Sequence, residues 1–400
     1  MHTGIVKPWG RDPDSTTEGI RDAAIDELLA VGQSDFAMES VARRAFFSVG
    51  AVYKRWHDRE VLLADLAQLR ISPRIQTELG AATSAREAID WVLDRGRESV
   101  LAASELILAG HTSPELRSVA VGVWNSLHAG LARLLPSSMA WYVATYAVGN
   151  ALLGAIGVAG PDPATGRSQW LVDASDCGVP ARVIPRAAVP IEAIGVPSVP
   201  EPQGSDDVAQ SLIGAARMLL AERGAAATST RDIAAGAGVT TGALYRRYLG
   251  KSGLLADVLL AQLQPDRYTW TWDLVQALAS ADPYSEAATV LAQRLIGTAG
   301  DTAAQRVLLQ VGIAARNDPA LRIQVTDRIK VAHEARVDMA RTLTSAGLLR
   351  ADVSPEVMVW GFQSIPVGVR ATLPLGIQLS ADEVGASMEA LLRAAAAPAA

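Results

Sequence analysis

Thr241, Tyr245 and Arg246 place two hydroxyls and a guanidinium on the outward side of one short stretch, at helical spacing. Groups of this kind donate to phosphate oxygens and base edges, which is binding chemistry rather than bond-breaking chemistry. The elements that must present them can be read around them, over residues 229–257. Ser229 can cap a first short helix, Gly238 can take the left-handed conformation at its end, and Thr240 can cap a second. Leu244 and Tyr248, four apart, face inward. Two short helices joined at a sharp turn make a helix-turn-helix, whose second helix enters the major groove of DNA.

The stretch occurs twice. Residues 40–56 lead into Arg59, Leu62 and Leu63 as residues 232–248 lead into Lys251, Leu254 and Leu255. Gly32 and Gly224, Tyr53 and Tyr245, and Asp65 and Asp257 are separated by one constant spacing of 192 positions. A self-match at fixed spacing is the mark of duplication. The first copy departs from the second at two places: Ala37 stands where Ser229 caps, and Phe46 stands where Gly238 turns. A non-glycine held left-handed there costs on the order of 1 kcal/mol.

Formal net charge is −6 over 400 residues, so a generally basic DNA-coating protein is excluded. Local balance is different. Residues 37–59 carry five basic and two acidic side chains, and residues 229–251 carry four and one, each a local +3. Two such patches can neutralise phosphates while the acidic remainder limits nonspecific binding.

The run 237–245, Ala-Gly-Val-Thr-Thr-Gly-Ala-Leu-Tyr, followed by Lys251 and Leu254-Leu255, resembles the DNA-binding domain of the TetR family of bacterial transcriptional regulators. The resemblance implies an all-α fold of two tandem TetR-like units, each a three-helix DNA-binding domain plus a helical regulatory and ligand-binding body. It implies base-edge contacts from Val49, Gly50, Ala51 and Tyr53 in the first unit and from Thr241, Gly242, Ala243 and Tyr245 in the second. Ser48, Lys54, Arg59, Ser229, Thr240, Arg246 and Lys251 are the matching phosphate candidates. The family's bodies often hold a small effector; candidates are Trp91, Trp124, His128, Trp141, Tyr142 and Tyr146 in the first and His333, Trp360, Phe362 and Gln363 in the second. Aromatics at helical spacing more commonly just fill a core.

The expected function is a ligand-responsive repressor, the two units acting as an intramolecular pseudo-dimer on an imperfect palindrome of double-stranded DNA, with further pairing of chains left open. The rival is a helical interaction protein in which one head, the first before the second, has decayed. No phosphate loop, nucleophile motif, dinucleotide fingerprint or metal-ligand spacing is present, so neither an enzyme nor a cofactor or metal is expected. One cysteine, Cys177, and an N-terminus without a signal-like apolar core point to the cytoplasm.

Along the chain the expected order is a tail (1–16), a first DNA-binding domain (17–70), a first helical body (71–160), a proline-rich linker (161–205), a second DNA-binding domain (206–263) and a second body (264–400). Helices are expected near 17–31, 61–70, 85–109, 114–135 and 138–159, with Ser84 and Ser113 as caps. The second half should hold helices near 206–223, 252–263, 285–298, 302–316, 319–346, 355–373 and 381–396. The charge-free run 134–161 is long enough to raise a membrane-spanning reading. Asn150 and three glycines dilute it, and its counterpart, expected to be broken by Pro366, ends at Arg370, so a buried helix at an interface is expected instead. The body relation continues at other spacings: Pro114 and Leu116 match Pro319 and Leu321 at 205, and Trp141 and Gly149 match Trp360 and Gly368 at 219.

Overall fold

The computed structural model describes residues 13–158, 160–161, 167–176, 206–263, 269–377 and 380–396. The tail up to residue 12, most of the proline-rich stretch with its apolar part 183–194, Cys177 and Tyr268 lie outside the described residues, as do the side chains of Trp270 and Trp272. Among the described residues every regular element is helical, and the one β contact is an isolated bridge between Leu349 and Ala396. No described helix is long and apolar enough to cross a membrane.

The first head is α1 (Pro13–Asp35), α2 (Met38–Arg44), α3 (Val49–Tyr53) and α4 (Arg59–Leu66). α1 buries Ile20, Ala24 and Leu28, with Ile25 and Leu29 of the same apolar stripe partly buried, and Gly32 near its end has φ of 75°. Arg21 bonds Asp65 on α4 at 2.6 Å and thereby ties α1 to α4.

α4 does not stop near residue 70. A π-helical turn (Ala67–Ile71) carries it into α5 (Ser72–Ala81), with Pro73, which has no N–H to donate, just after the join. The expected single helix 85–109 is divided: α6 (Ala85–Asp90), a π turn (Trp91–Arg95), then α7 (Arg97–Thr112). The break falls at Gly96 because the Trp91 indole lies over it, and a Cβ there would come within 2.5 Å of the ring. Ser84 caps α6 as expected, through Glu87 N–H at 3.2 Å. Ser113 does not cap; its hydroxyl donates to Glu115 instead. α8 (Arg117–Ala132) and α9 (Ser137–Ala155) complete the first body.

Within the expected linker, α10 (Arg167–Ser175) is helical and docked: Trp170 is fully buried and donates to the Leu391 carbonyl at 3.2 Å. The second head is α11 (Asp207–Arg223), α12 (Thr230–Gly236), α13 (Thr241–Arg247) and α14 (Lys251–Leu263). The second body is α15 (Thr269–Leu278), α16 (Pro283–Gly300), α17 (Thr302–Asn317), α18 (Pro319–Ser345), α19 (Pro355–Thr372) and α20 (Ala381–Ala395). Pro366 does not break α19, which runs through it and past Arg370.

The two bodies meet where α9 crosses α19. A Cβ on Gly149 would lie 2.0 Å from the Ser364 carbonyl oxygen, and one on Gly368 would lie 2.0 Å from that of Thr145. Ser364 and Thr145 stand at the same 219-residue spacing as the two glycines, so the contact is reciprocal. Backbone rests on backbone, as small residues at a helix crossing permit. One contiguous apolar core runs from α1 through this crossing to α20.

A second junction is polar. Arg316 on α17 is buried beside Glu105 on α7, and donates to the carbonyl of Leu29 at 2.6 Å. Asn317 donates to that of Val31 at 2.8 Å. These carbonyls belong to the last turn before α1 kinks at Gly32, where the regular bonding of the helix is interrupted and a cation is favoured by the helix dipole. Glu105 also accepts the Gln33 N–H at 2.7 Å. In the second half Gln310, at the matching position, accepts the Ala225 N–H at 2.9 Å.

Candidate nucleic-acid interface

Each head builds its turn from local chemistry. In the second, Ser229 and Asp232 form a reciprocal capping box, Gly238 takes φ of 68°, and Thr240 caps α13 through Ala243 N–H at 3.2 Å. In the first, Ala37 provides no side-chain cap, while Ser48 caps α3 through Ala51 N–H at 3.2 Å. Phe46 is held at φ of 59° and is 94% exposed; its ring gains no burial to offset the left-handed conformation. The reading helix is also shorter, five residues against seven.

Tyr53 and Tyr245 both point outward, 42% and 55% exposed, each steadied by the preceding helix. Tyr53 Oη lies 3.4 Å from Glu39, and Tyr245 Oη lies 3.3 Å from Thr230 Oγ1. Val52, Trp56, Leu244 and Tyr248 are buried beneath them, as their spacing predicts. Ser48, Val49, Gly50, Ser229, Thr240 and Gly242 are exposed, and Ala51 and Thr241 are partly so. Ala243 corrects the expectation: it is buried, on the side of α13 turned toward the rest of the head, and offers nothing to a base.

The basic residues divide more sharply than their number suggests. Arg44 is paired with Glu27 at 2.8 Å and Arg247 with Asp206 at 2.6 Å, while Arg55 bonds Thr17 at 2.8 Å. Arg59 and Lys251 are corrections too. Arg59 turns back onto the Gln33 carbonyl and Lys251 onto that of Ala225, each covering the end of the first helix of its head. Burial pushes both below their ordinary pKa. Arg43, Lys54, Arg231 and Arg246 remain exposed. Lys54 and Arg246 were expected to meet phosphate from the family resemblance; Arg43 and Arg231, on the first helix of each pair, were counted as charge but not assigned.

A different outcome is expected for the two classes. Lys54→Ala or Arg246→Ala should lower the slope of log affinity against log salt by about 0.9 each, one phosphate contact. Arg59→Ala should leave that slope unchanged and lower the thermal midpoint of the protein. Shift assays across a salt series, paired with thermal melts, read both.

The expected effector residues of the first body pack as core. Trp91 donates to Glu78, Trp124 stacks on His128 at 6.2 Å, and Tyr142 stacks on Tyr146 at 6.2 Å, with Trp141 buried nearby. None of the six lines the cavity of about 360 Å³ that lies between the halves. In the second body Phe362 and Gln363 do line it. His333 bonds Gln363 at 3.0 Å, and Trp360 donates to Asn150 at 2.9 Å. The cavity's arginines were not anticipated, because charged residues in long helices read as solvated faces.

Residues 212–258, from within α11 to within α14, match the family profile described as bacterial regulatory proteins, tetR family. This stretch is similar to the tetR-family profile. The tetR-type match is joined by 47% identity over 58 residues to the HTH-type transcriptional repressor Rv3405c of Mycobacterium tuberculosis and to the HTH-type transcriptional regulator Mb3439c of Mycobacterium bovis. That alignment covers 14% of this chain and 31% of each relative, so the chain matches about a third of their length. Among solved structures, NalD of Pseudomonas aeruginosa, the secondary repressor of the MexAB-OprM multidrug efflux pump, is 19% identical over 47% of this chain and 96% of its own, with a TM-score of 0.37. The ketosteroid transcriptional regulator KstR2 of Mycobacterium tuberculosis is 24% identical over 48% and 96%, with a TM-score of 0.31.

Proposed function

We propose that the protein is a sequence-specific DNA-binding repressor whose two fused tetR-like units, 17–160 and 206–400, form a pseudo-dimer within one chain. Heads at 17–70 and 206–263 read the two halves of one operator, and a small effector weakens that grip. The observation that carries this reading is the pair of helix-turn-helix elements, each presenting an outward tyrosine, in bodies joined by a reciprocal helix crossing. A tandem chain supplies two heads at high effective concentration, so a monomer suffices for one operator. Arg316 reaching α1 of the first head and Arg328 reaching Asp257 of the second at 3.9 Å supply a physical route from the cavity to both heads.

Because the reading helices differ, the operator should be an imperfect palindrome. Val49 offers methyl groups where Thr241 offers a hydroxyl as well. The second head has the capping box, the glycine turn and the longer reading helix, so its half-site should carry more of the discrimination, each wrong base costing about 1–3 kcal/mol. Selection from a random pool gives the natural site, and palindromes of each half then test the asymmetry. Equal binding to both, with Tyr53→Ala and Tyr245→Ala weakening each alike, would refute it. The strained Phe46 and short α3 support the rival in which the first head no longer reads DNA; there Tyr53→Ala leaves every affinity unchanged.

A further inference from the structure

The cavity between the halves is apolar over most of its wall, with Leu152, Leu259, Leu295, Ile329 and Ile365 in the lining. Five arginines nevertheless open onto it, Arg294, Arg316, Arg328, Arg336 and Arg370, against a single carboxylate, Glu105. That carboxylate is already engaged by Arg316. Arg370 gives its Nε–H to Gln305 at 2.6 Å, and Arg336 gives an N–H to the Ala332 carbonyl at 3.3 Å. Among the described residues neither has a carboxylate at ion-pair distance. Arg328 stands 3.9 Å from Asp257 in a half-made pair, with Arg328 Nε and Asp257 Oδ2 both buried and unbonded.

Such a site is costly unless something completes it. Burial pushes the Arg370 guanidinium down to about 10, with Arg294 nearby adding to the effect, and Arg336 is also held below its ordinary value. Charges kept where solvation is poor favour an anion of matching size. The first half carries no copy of the site. By the 205- and 219-residue spacings, the positions matching Arg316, Arg328, Arg336 and Arg370 hold His111, Val123, Leu131 and Ala151.

We infer that this cavity binds one amphipathic organic anion per chain, its acidic head on the arginines and its hydrocarbon body along the leucine and isoleucine wall. At about 360 Å³ the space falls within the range of small-molecule sites. The inference deepens the proposed effector response, and only its regulatory consequence rests on that reading.

Titration calorimetry of the full chain without DNA tests the binding, with decanoate, decyl phosphate and the uncharged decanol as probes below their micellar concentrations. One molecule of at least one anion should bind per chain, with decanol about tenfold weaker or worse. The two anions against each other identify the head group as carboxylate or phosphate. Arg336→Met and Arg370→Met keep the apolar stem and should each weaken the anion about tenfold while leaving decanol unchanged. Arg370→Lys retains the charge and should retain the anion, which keeps the test open if a methionine variant fails to fold. Decanol binding as tightly as both anions, anion binding indifferent to both methionine variants, or no binding of either anion would overturn the inference. An anion that binds as expected but leaves operator affinity unchanged in a shift assay supports the site and counts against the effector reading.

Discussion

Arg316→Met should destabilise the protein by about 3–5 kcal/mol at neutral pH, the range for breaking a buried ion pair on one side. Glu105 would stay behind in a site 3% exposed, retaining the Gln33 N–H but no cation, and the Leu29 carbonyl would lose the donor that Arg316 supplies. Burial raises the Glu105 pKa, and Arg316 is what opposes that rise. In the variant the folded-state pKa therefore climbs further above the unfolded value near 4.5. A carboxyl raised in this way binds more protons folded than unfolded, so the part of the deficit owed to the unpaired charge is full above the raised folded pKa. It shrinks as pH falls through that value and vanishes below the unfolded one. Adding Glu105→Gln should restore much of the loss at neutral pH, because Gln310 already holds the equivalent N–H of Ala225 with an amide. Urea unfolding at pH 7 and pH 5 for the two single variants and the double variant measures every term. A deficit that grows on acidification would refute the assignment.

Gly149→Ala and Gly368→Ala should each cost about 3 kcal/mol or more, at or beyond the upper end of ordinary overpacking. Their new methyls would lie 2.0 Å from a carbonyl oxygen on the facing helix. A clashing side chain can rotate away, but a clashing backbone moves only if the helix moves, so α9 and α19 must separate and the core on both sides of the crossing must loosen. Gly154 on α9 is the control, with nothing within 4 Å of its added methyl. Gly154→Ala should be neutral or stabilising by up to about 1 kcal/mol from helix propensity alone. Thermal melts of the three variants separate close approach from propensity; equal behaviour of Gly149→Ala and Gly154→Ala would mean the crossing is not tight.

The heads were legible because their signals are local. Caps such as Ser229, Thr240 and Ser84 act within three residues, and the left-handed turn at Phe46 followed from its alignment with Gly238. Most body helices were legible from periodicity, though α5 and α15 were not, and neither were the interruptions: the break at Gly96 depends on where the Trp91 ring lies, and the continuation through Pro366 on what packs around α19. Long side chains were the least legible part of the interface. Arg59 and Lys251 look like phosphate contacts by position, yet each folds back onto a carbonyl 26 residues earlier in the chain. Aromatic content pointed to effector sites in both bodies, yet Tyr142 and Tyr146 fill space in the first, and the cavity that Phe362 and Gln363 do line is also lined by arginines from α16 to α19. Whether a charged residue in a long helix faces water or a cavity depends on its partners, which a single sequence does not print.

Glu105 and Arg316 lie 211 positions apart on one polypeptide. Cation and anion are therefore always synthesised in equal number, and dilution cannot part them. If the same pair joined two separate chains, each dissociation would strand two charges in newly wetted surface, and stability would follow protein concentration. Here the melting temperature should be the same at nanomolar and micromolar protein, so the fold can keep an ion pair at its most deeply shared junction even when only a few copies are present in a cell.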